Sequence, residues 1–213
     1  EIHSSSTLSI NLNNALQINR GAIPVLLSNF IKEELNFINS EYIIKKKGGK
    51  NTHGIEQYFK FIEETSNSVI IPRGFTGRLL RFCKENKFKF VFEDLRKKQT
   101  AVSYLFNAVL REHQVSAVEA TTKKDIGVIV APPGTGKTII GLKIIADKQQ
   151  PSLIIVHRKT LMDQWVERIE AFLGIPLHEI GKIGQGKLKI GKSITVATIQ
   201  RLSKDLQKPE NIT

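Results

Sequence analysis

The sequence predicts an α/β chain in two parts: a small α+β unit over residues 1–97, then over 98–213 a domain built on a parallel sheet around a phosphate-binding loop. Three observations predict it. Beyond Leu105, short apolar runs alternate with segments of helical periodicity, the pattern of parallel strands joined by crossover helices. Between one such run and the helix after it stands Ala131-Pro132-Pro133-Gly134-Thr135-Gly136-Lys137-Thr138. The residues before 97 instead mix an alternating hairpin with short helices and strands.

The first unit opens with Leu8, Ile10 and Leu12, then Leu16 and Ile18 after Asn13-Asn14, an alternation that reads as a β-hairpin with an Asn-rich turn. From Pro24 to Ile38, Leu27, Phe30, Ile31, Leu35 and Ile38 recur at helical spacing, and Pro24 suits a first helical turn. Residues 45–54 have no periodicity and read as a mobile loop carrying Lys45, Lys46, Lys47 and Lys50. Glu56–Glu64 reads as a short helix, Val69–Ile71 as a strand closed by Pro72, Gly74–Glu85 as a helix and Lys87–Phe92 as a strand. Residues 95–103 are polar and read as the linker.

In the second part a helix over about 108–121 precedes the apolar strand Ile126–Val130, the glycine loop and a helix to Ala146. The strand Leu153–Val156, a helix from Leu161 to Phe172 and the strand Ile194–Ala197 follow. Leu161, Trp165, Ile169 and Phe172 form a core stripe on their helix. Gly181–Lys192, with four lysines and four glycines, reads as a solvated hairpin or a phosphate-tracking loop.

Bulk properties narrow the function classes. The chain has 213 residues, 40% of them hydrophobic and 24% charged, in the range of globular domains. It has no apolar run of about 18 residues and no basic-then-apolar leader, which argues against a membrane partner or a secretory signal. Cys83 is the one cysteine, read as a half-buried helix residue; no internal disulfide or cysteine metal site exists, and a reducing, cytoplasmic setting is expected. The net charge is +12; residues 1–100 and 101–213 each hold 16 basic and 10 acidic residues, so each part carries +6. A polyanionic partner, nucleic acid first, fits that balance.

The glycine loop carries the chemistry. Gly134 and Gly136 let the backbone curl so that N–H groups converge on phosphate oxygens, aided by the positive end of the helix that follows. Lys137 is placed to neutralise β and γ phosphates, and the Thr138 hydroxyl to ligate Mg²⁺; Pro133 and Thr135 complete the cradle, so ATP and Mg²⁺ are the expected cofactors. The usual first glycine is Ala131 here. This loop also occurs in AAA+ ATPases, so the flanks must decide.

Before the loop stands Leu110-Arg111-Glu112-His113-Gln114, with Phe106 four residues ahead. After it come Leu153–Trp165, containing Val156-His157-Arg158-Lys159-Thr160, then Ile180–Lys187, then Ile194-Thr195-Val196-Ala197-Thr198-Ile199-Gln200-Arg201-Leu202. In this order over residues 105–204, the series resembles the first motor domain of superfamily 2 helicases of the DEAD/DEAH type, closest to the XPB-like repair helicases and their bacterial and phage relatives. Leu8-Ser9-Ile10 and Ile71-Pro72-Arg73-Gly74-Phe75 resemble the segment preceding the motor in helicases of restriction and conflict systems, the TOTE type. The resemblance implies a RecA-like fold, incomplete at its C-terminal end, and an ATP-dependent DNA helicase or translocase as parent. It implies adenine recognition by Gln114 beside Arg111, and nucleic-acid backbone contacts by Arg158, Lys187, Thr198 and Gln200. Arg73, with Arg78 and Arg81 around one helix start, is a candidate DNA-docking surface, and the lysine-rich loop a weaker one.

Hydrolysis by such a motor uses an Asp that holds Mg²⁺ and a Glu that positions water. No Asp-Glu pair follows residue 200; Asp205 and Glu210 are isolated. The expectation is therefore the front part of a motor, without its second RecA-like domain, that binds nucleotide and nucleic acid but does not turn over ATP by itself. DNA is the expected partner, with RNA left open. An AAA+ remodelling ATPase and a non-catalytic nucleic-acid-binding module are the alternatives; neither explains the motifs after the loop.

Overall fold

The computed structural model describes residues 7–206, with the side chains of 205 and 206 left aside. The chain forms two compact units, Glu1–Lys97 and Lys98–Thr213.

The first unit is a five-stranded sheet covered by helices. β1 (Leu8–Leu12) and β2 (Leu16–Asn19) form the antiparallel hairpin, with Ile10 opposite Ile18. Its turn is closed by Asn13, whose side-chain oxygen accepts from the Ala15 N–H at 3.0 Å. β4 (Ser68–Ile71) pairs with β2, two-residue β3 (Glu63–Glu64) pairs with β4, and β5 (Phe90–Asp94) joins β1 in parallel, giving the order β3-β4-β2-β1-β5. The alternation turns Leu8, Ile10, Leu12, Leu16 and Ile18 into the core. There they meet Leu27, Ile31 and Leu35 of α1 (Val25–Leu35) and Leu79 and Cys83 of α3 (Thr76–Glu85). Phe30 and Phe82 stack with ring centroids 3.8 Å apart.

Two segments of this unit differ from the sequence reading. Lys45–Lys47 are not loop but the last turn of α2 (Ser40–Lys47). The Asn39 side chain caps the helix by accepting from Glu41 N–H at 3.0 Å, and Glu41 pairs with Lys45 one turn on at 2.9 Å. Three lysines at a helix C-terminus complement the helix dipole, so a charge run that looked unstructured ends a helix. Conversely, residues 56–64 are not a helix. Tyr58 forms a bridge opposite Ile38, and Phe59 N–H donates to the Phe37 carbonyl at 2.9 Å. Aromatic residues favour extended pairing, and that non-local pairing outweighs a short helical pattern.

In the second unit, β6 (Ser152–Val156), β7 (Gly181–Gly184) and β9 (Ile194–Thr198) run parallel, and β8 (Lys187–Lys189) returns antiparallel on β7, in the order β6-β9-β7-β8. The Gly181–Lys192 hairpin is thus part of the sheet. β7 and β8 are joined by Gln185 and Gly186, both with left-handed backbones (φ 55° and 76°) as a two-residue hairpin turn requires. α4 (Glu112–Thr122), α5 (Lys137–Lys148), α6 (Lys159–Leu173) and α7 (Ile199–Leu206) complete the unit. The buried stripe of α6 is Met162, Val166, Ile169 and Leu173; Leu161, Trp165 and Phe172 pack at its margin. α5 and α6 meet where Gly141 faces Trp165, and a Cβ on Gly141 would sit 2.8 Å from that ring.

The expected strand Ile126–Val130 is not a strand. These residues have no ladder partner among the described residues, and Val128 and Val130 are about nine-tenths exposed. An apolar run marks a segment able to sit inside a sheet, but strand structure needs a hydrogen-bonded neighbour.

Cys83 is fully buried rather than half-buried, and burial pushes its thiol up to about 11. Thiolate is the reactive form, so a thiol reagent at pH 8 is expected to label Cys83 in the folded chain about 100-fold more slowly than in urea. Equal labelling rates would show that this core opens readily.

Candidate functional site

The phosphate loop stands between the exposed 126–130 segment and α5. Gly134 (φ 79°) and Gly136 (φ 80°) both lie in the left-handed region, where a side chain is costly. Their geometry ends the loop on the first turn of α5, with Gly136 as N-cap. Ile139 and Ile140 N–H groups already bond to Gly136 O. The N–H groups of Gly136, Lys137 and Thr138 take no protein acceptor among the described residues, which is the donor set an anion needs at a helix N-terminus. The Thr135 hydroxyl donates to Pro132 O at 2.8 Å and shapes the loop from within. The Lys137 ammonium is folded onto the loop, donating to Ala131 O and Pro132 O at 2.9 Å each.

α4 clamps this loop. Gln114 is 95% buried; its Nε2 donates to Thr135 O at 2.9 Å and its Oε1 accepts from Arg111 N–H at 3.0 Å. His113 Nε2 reaches the same Thr135 carbonyl at 3.2 Å. A Cβ on Gly136 would lie 2.5 Å from Gln114 Nε2, so the glycine also makes room for the clamp. Gln114, the residue expected at the adenine, holds the loop through its amide. Arg111 is the N-cap residue of α4, with an exposed side chain. His113 carries a contact that sequence reasoning did not assign; its only signal is its place beside Gln114 in the first turn of α4.

A second group collects at the carboxyl ends of the parallel strands, where open α/β sheets place ligands. β6 runs into His157 and Arg158, and the exposed Arg158 caps α6. Val156 lies opposite Thr198, the last residue of β9. Gln200 Nε2 donates to His157 O at 3.0 Å, tying the two motifs together. Thr198 stands beside Gly184, where a Cβ would meet its hydroxyl at 2.9 Å. Lys187 follows the β7–β8 turn at the same end of the sheet and is exposed. Arg73 belongs to the first unit, in a short turn, where its side chain is exposed. Arg78 pairs with Glu34.

No cluster of three or more His, Cys, Asp or Glu side chains able to hold a metal occurs among the described residues. Among them no helix is long and apolar enough to cross a membrane.

A parallel sheet, a phosphate loop capping a helix and a motif-bearing carboxyl edge are the features of a RecA-like P-loop fold. Residues 107–212 match the family of the type III restriction enzyme res subunit. The DNA 3′-5′ translocase XPB2 of Sulfurisphaera tokodaii is 42% identical over 89 residues, covering 42% of this chain and 19% of that protein. The DNA 3′-5′ helicase XPB of Mycobacterium tuberculosis is 30% identical over 95 residues, covering 45% and 17%. The UvsW helicase of bacteriophage T4 has a similar fold, with TM-score 0.64 and 14% identity over 93% of this chain and 77% of that one. The chain thus spans about a fifth or less of the length of the curated relatives it matches. Over residues 107–212 it is similar to the superfamily 2 helicases, on their XPB-like side.

If the clamp holds the loop, Gln114→Ala leaves the Arg111 N–H without its acceptor and Thr135 O with His113 as its one side-chain partner. It is expected to cost about 1–3 kcal/mol of stability in chemical denaturation. A change below about 0.5 kcal/mol would argue that the loop holds its shape without Gln114.

Proposed function

We propose that this chain supplies the nucleotide cradle and one nucleic-acid grip of an ATP-dependent DNA helicase or translocase. The observation that carries this reading is the phosphate loop, whose outward N–H groups are held open by Gln114. Pro133, Gly134, Thr135 and Gly136 would wrap the phosphates of ATP. Lys137 would leave the Ala131 and Pro132 carbonyls for phosphate oxygens, a stronger, charge-assisted partner. The Thr138 hydroxyl would hold Mg²⁺, which supplies neutralisation of charge on the β and γ phosphates. Adenine would lie against Arg111 and the start of α4.

Arg158, Thr198, Gln200 and Lys187 would grip the phosphate backbone at the carboxyl edge, and Arg73 would add a contact from the first unit. Such contacts fix register without reading sequence, as a translocating motor requires. DNA is the preferred substrate because the relatives described above carry DNA helicase or translocase activity in their names. A complete motor closes two lobes on ATP. No acidic Asp-Glu pair follows Gln200 in this sequence, so these 213 residues alone should bind ATP without releasing phosphate. DNA-stimulated phosphate release from them would contradict that.

Lys137→Ala is expected to weaken binding of a fluorescent ATP analogue at least tenfold, with little change in DNA affinity. Arg158→Ala should weaken DNA binding and lower the slope of log affinity against log salt by about 0.7–0.9, one phosphate contact. An unchanged slope would remove Arg158 from the grip.

A further inference from the structure

The first unit leaves a cluster of large apolar side chains in solvent that neither the core nor the motor motifs account for. Phe37, Phe59 and Phe61 are 53%, 46% and 40% exposed, and Ile38 and Tyr58 behind them are 51% and 38% exposed. Single exposed apolar residues are ordinary, but a contiguous group of this size marks an interaction site. Their backbone is not loose. Phe59 N–H donates to Phe37 O and Asn39 N–H to Gln57 O, each at 2.9 Å, with Ile38 opposite Tyr58 between them. In such an antiparallel pair, facing residues share a side, so Phe37 and Phe59 project together. Phe61, two residues on, joins them, with ring centroids 5.7 Å from Phe37 and 5.8 Å from Phe59.

Two grooves flank these rings, and both are lined by Leu35 and Phe61. One, of about 420 Å³, also holds Lys32, Tyr58, Phe59 and Lys60; the other, of about 320 Å³, holds Phe37 and Arg78. Three cations thus border the rings against two carboxylates, Glu34 and Glu56. Both carboxylates are already paired, Glu34 with Arg78 and Glu56 with Lys60 at 2.7 Å. Lys32 has no ion-pair partner among the described residues and lines the larger groove. Asn39 also starts α2, whose last turn carries Lys45, Lys46 and Lys47. An interface with a protein also carries a polar rim, so the sign of the charge decides: the excess around the rings is cationic, in a chain of net charge +12. Rings on a rigid ribbon with a basic border match the chemistry of unpaired nucleobases on a phosphate backbone.

We propose that Phe37, Phe59 and Phe61 form a stacking platform for the bases of a single-stranded nucleic acid, whose phosphates meet Lys32 and Lys60. This rests on the nucleic-acid reading above but adds a contact of a different kind, since the motor motifs touch only backbone. Bases inside a duplex are already stacked, so the platform selects strands that have been separated. One stacked base is worth about tenfold in affinity or more.

The test uses the whole 213-residue chain, a labelled 12-nucleotide single strand, and the same strand with abasic sites, which keeps every phosphate. The expected result is at least tenfold tighter binding of the normal strand, lost in F37A/F59A/F61A, with less than twofold change on the abasic strand. Photocrosslinking of a 5-iodouridine strand to wild type, mapped by mass spectrometry, should give adducts at residue 37, 59 or 61; this holds even if the triple variant fails to fold. Equal affinity for normal and abasic strands overturns the platform. So does a base preference that survives the triple variant with crosslinks confined to residues 98–213; in that case DNA binding through Arg158 still stands. A wild-type chain that binds neither strand removes the nucleic-acid reading itself. A concentration-dependent dimer abolished by the triple variant, with DNA binding unchanged, would assign the rings to a second copy of this chain.

Discussion

The carbonyl oxygen of Thr135 is the point on which the geometry of the phosphate loop depends. Gln114 and His113, neighbours at the start of α4, both direct a ring or amide nitrogen at it. That anchor holds the crown of the loop while Gly134 and Gly136 curl the chain around it, leaving the following N–H groups without protein acceptors. Gln114 is nearly excluded from water, so its two hydrogen bonds are expensive to lose. The helix that precedes the loop and the helix that follows it are therefore one hydrogen-bonded unit. Gly136 has two reasons to be glycine: its left-handed backbone, and the Gln114 amide that any Cβ would strike.

The phosphate loop and the carboxyl-edge motifs are also joined mechanically. α5, which begins at Lys137, packs through Gly141 on Trp165 of α6, and α6 begins at Arg158. At the same edge Gln200 holds the His157 carbonyl. Gly141 lets the two helices approach there, since a Cβ at that position would sit 2.8 Å from the Trp165 ring. Parallel pairing of β6, β9 and β7 brings His157, Thr198 and Lys187 to one end of the sheet, although they are 30 to 41 residues apart or within 11 of each other in sequence.

Legibility varied with the range of the interactions. The hairpin at 8–19, α3 and α6 follow from local pattern and stand where it puts them, whereas α1 ends at Leu35, short of the expected Ile38, which pairs with Tyr58. α2 was hidden because its evidence is a cap and one ion pair around a lysine run, features that a reading for periodicity passes over. The 56–64 segment was misread because its aromatic residues satisfy a helical spacing almost as well as an extended one; pairing with residues 37–39 decides between them. The apolar run 126–130 was legible as strand material, yet strand structure belongs to a pair of segments and not to one. Within the site, Gln114 was singled out by its motif, but only the fold shows its amide spent on Thr135.

By itself the sequence determined the local pattern: glycines where the backbone must turn left-handed, a lysine and a threonine at the start of the helix that follows, and the order of motifs that resembles a superfamily 2 motor. These are local requirements, set by backbone conformation and side-chain type, so they can be read in line. The tertiary structure decided which groups already have partners. It turned Gln114 onto the loop, joined Gln200 to His157, placed the lysine hairpin in the sheet, and left Phe37, Phe59 and Phe61 outside the core. Those outcomes depend on hydrogen bonds and packing between segments far apart in the chain, and no local pattern carries that information.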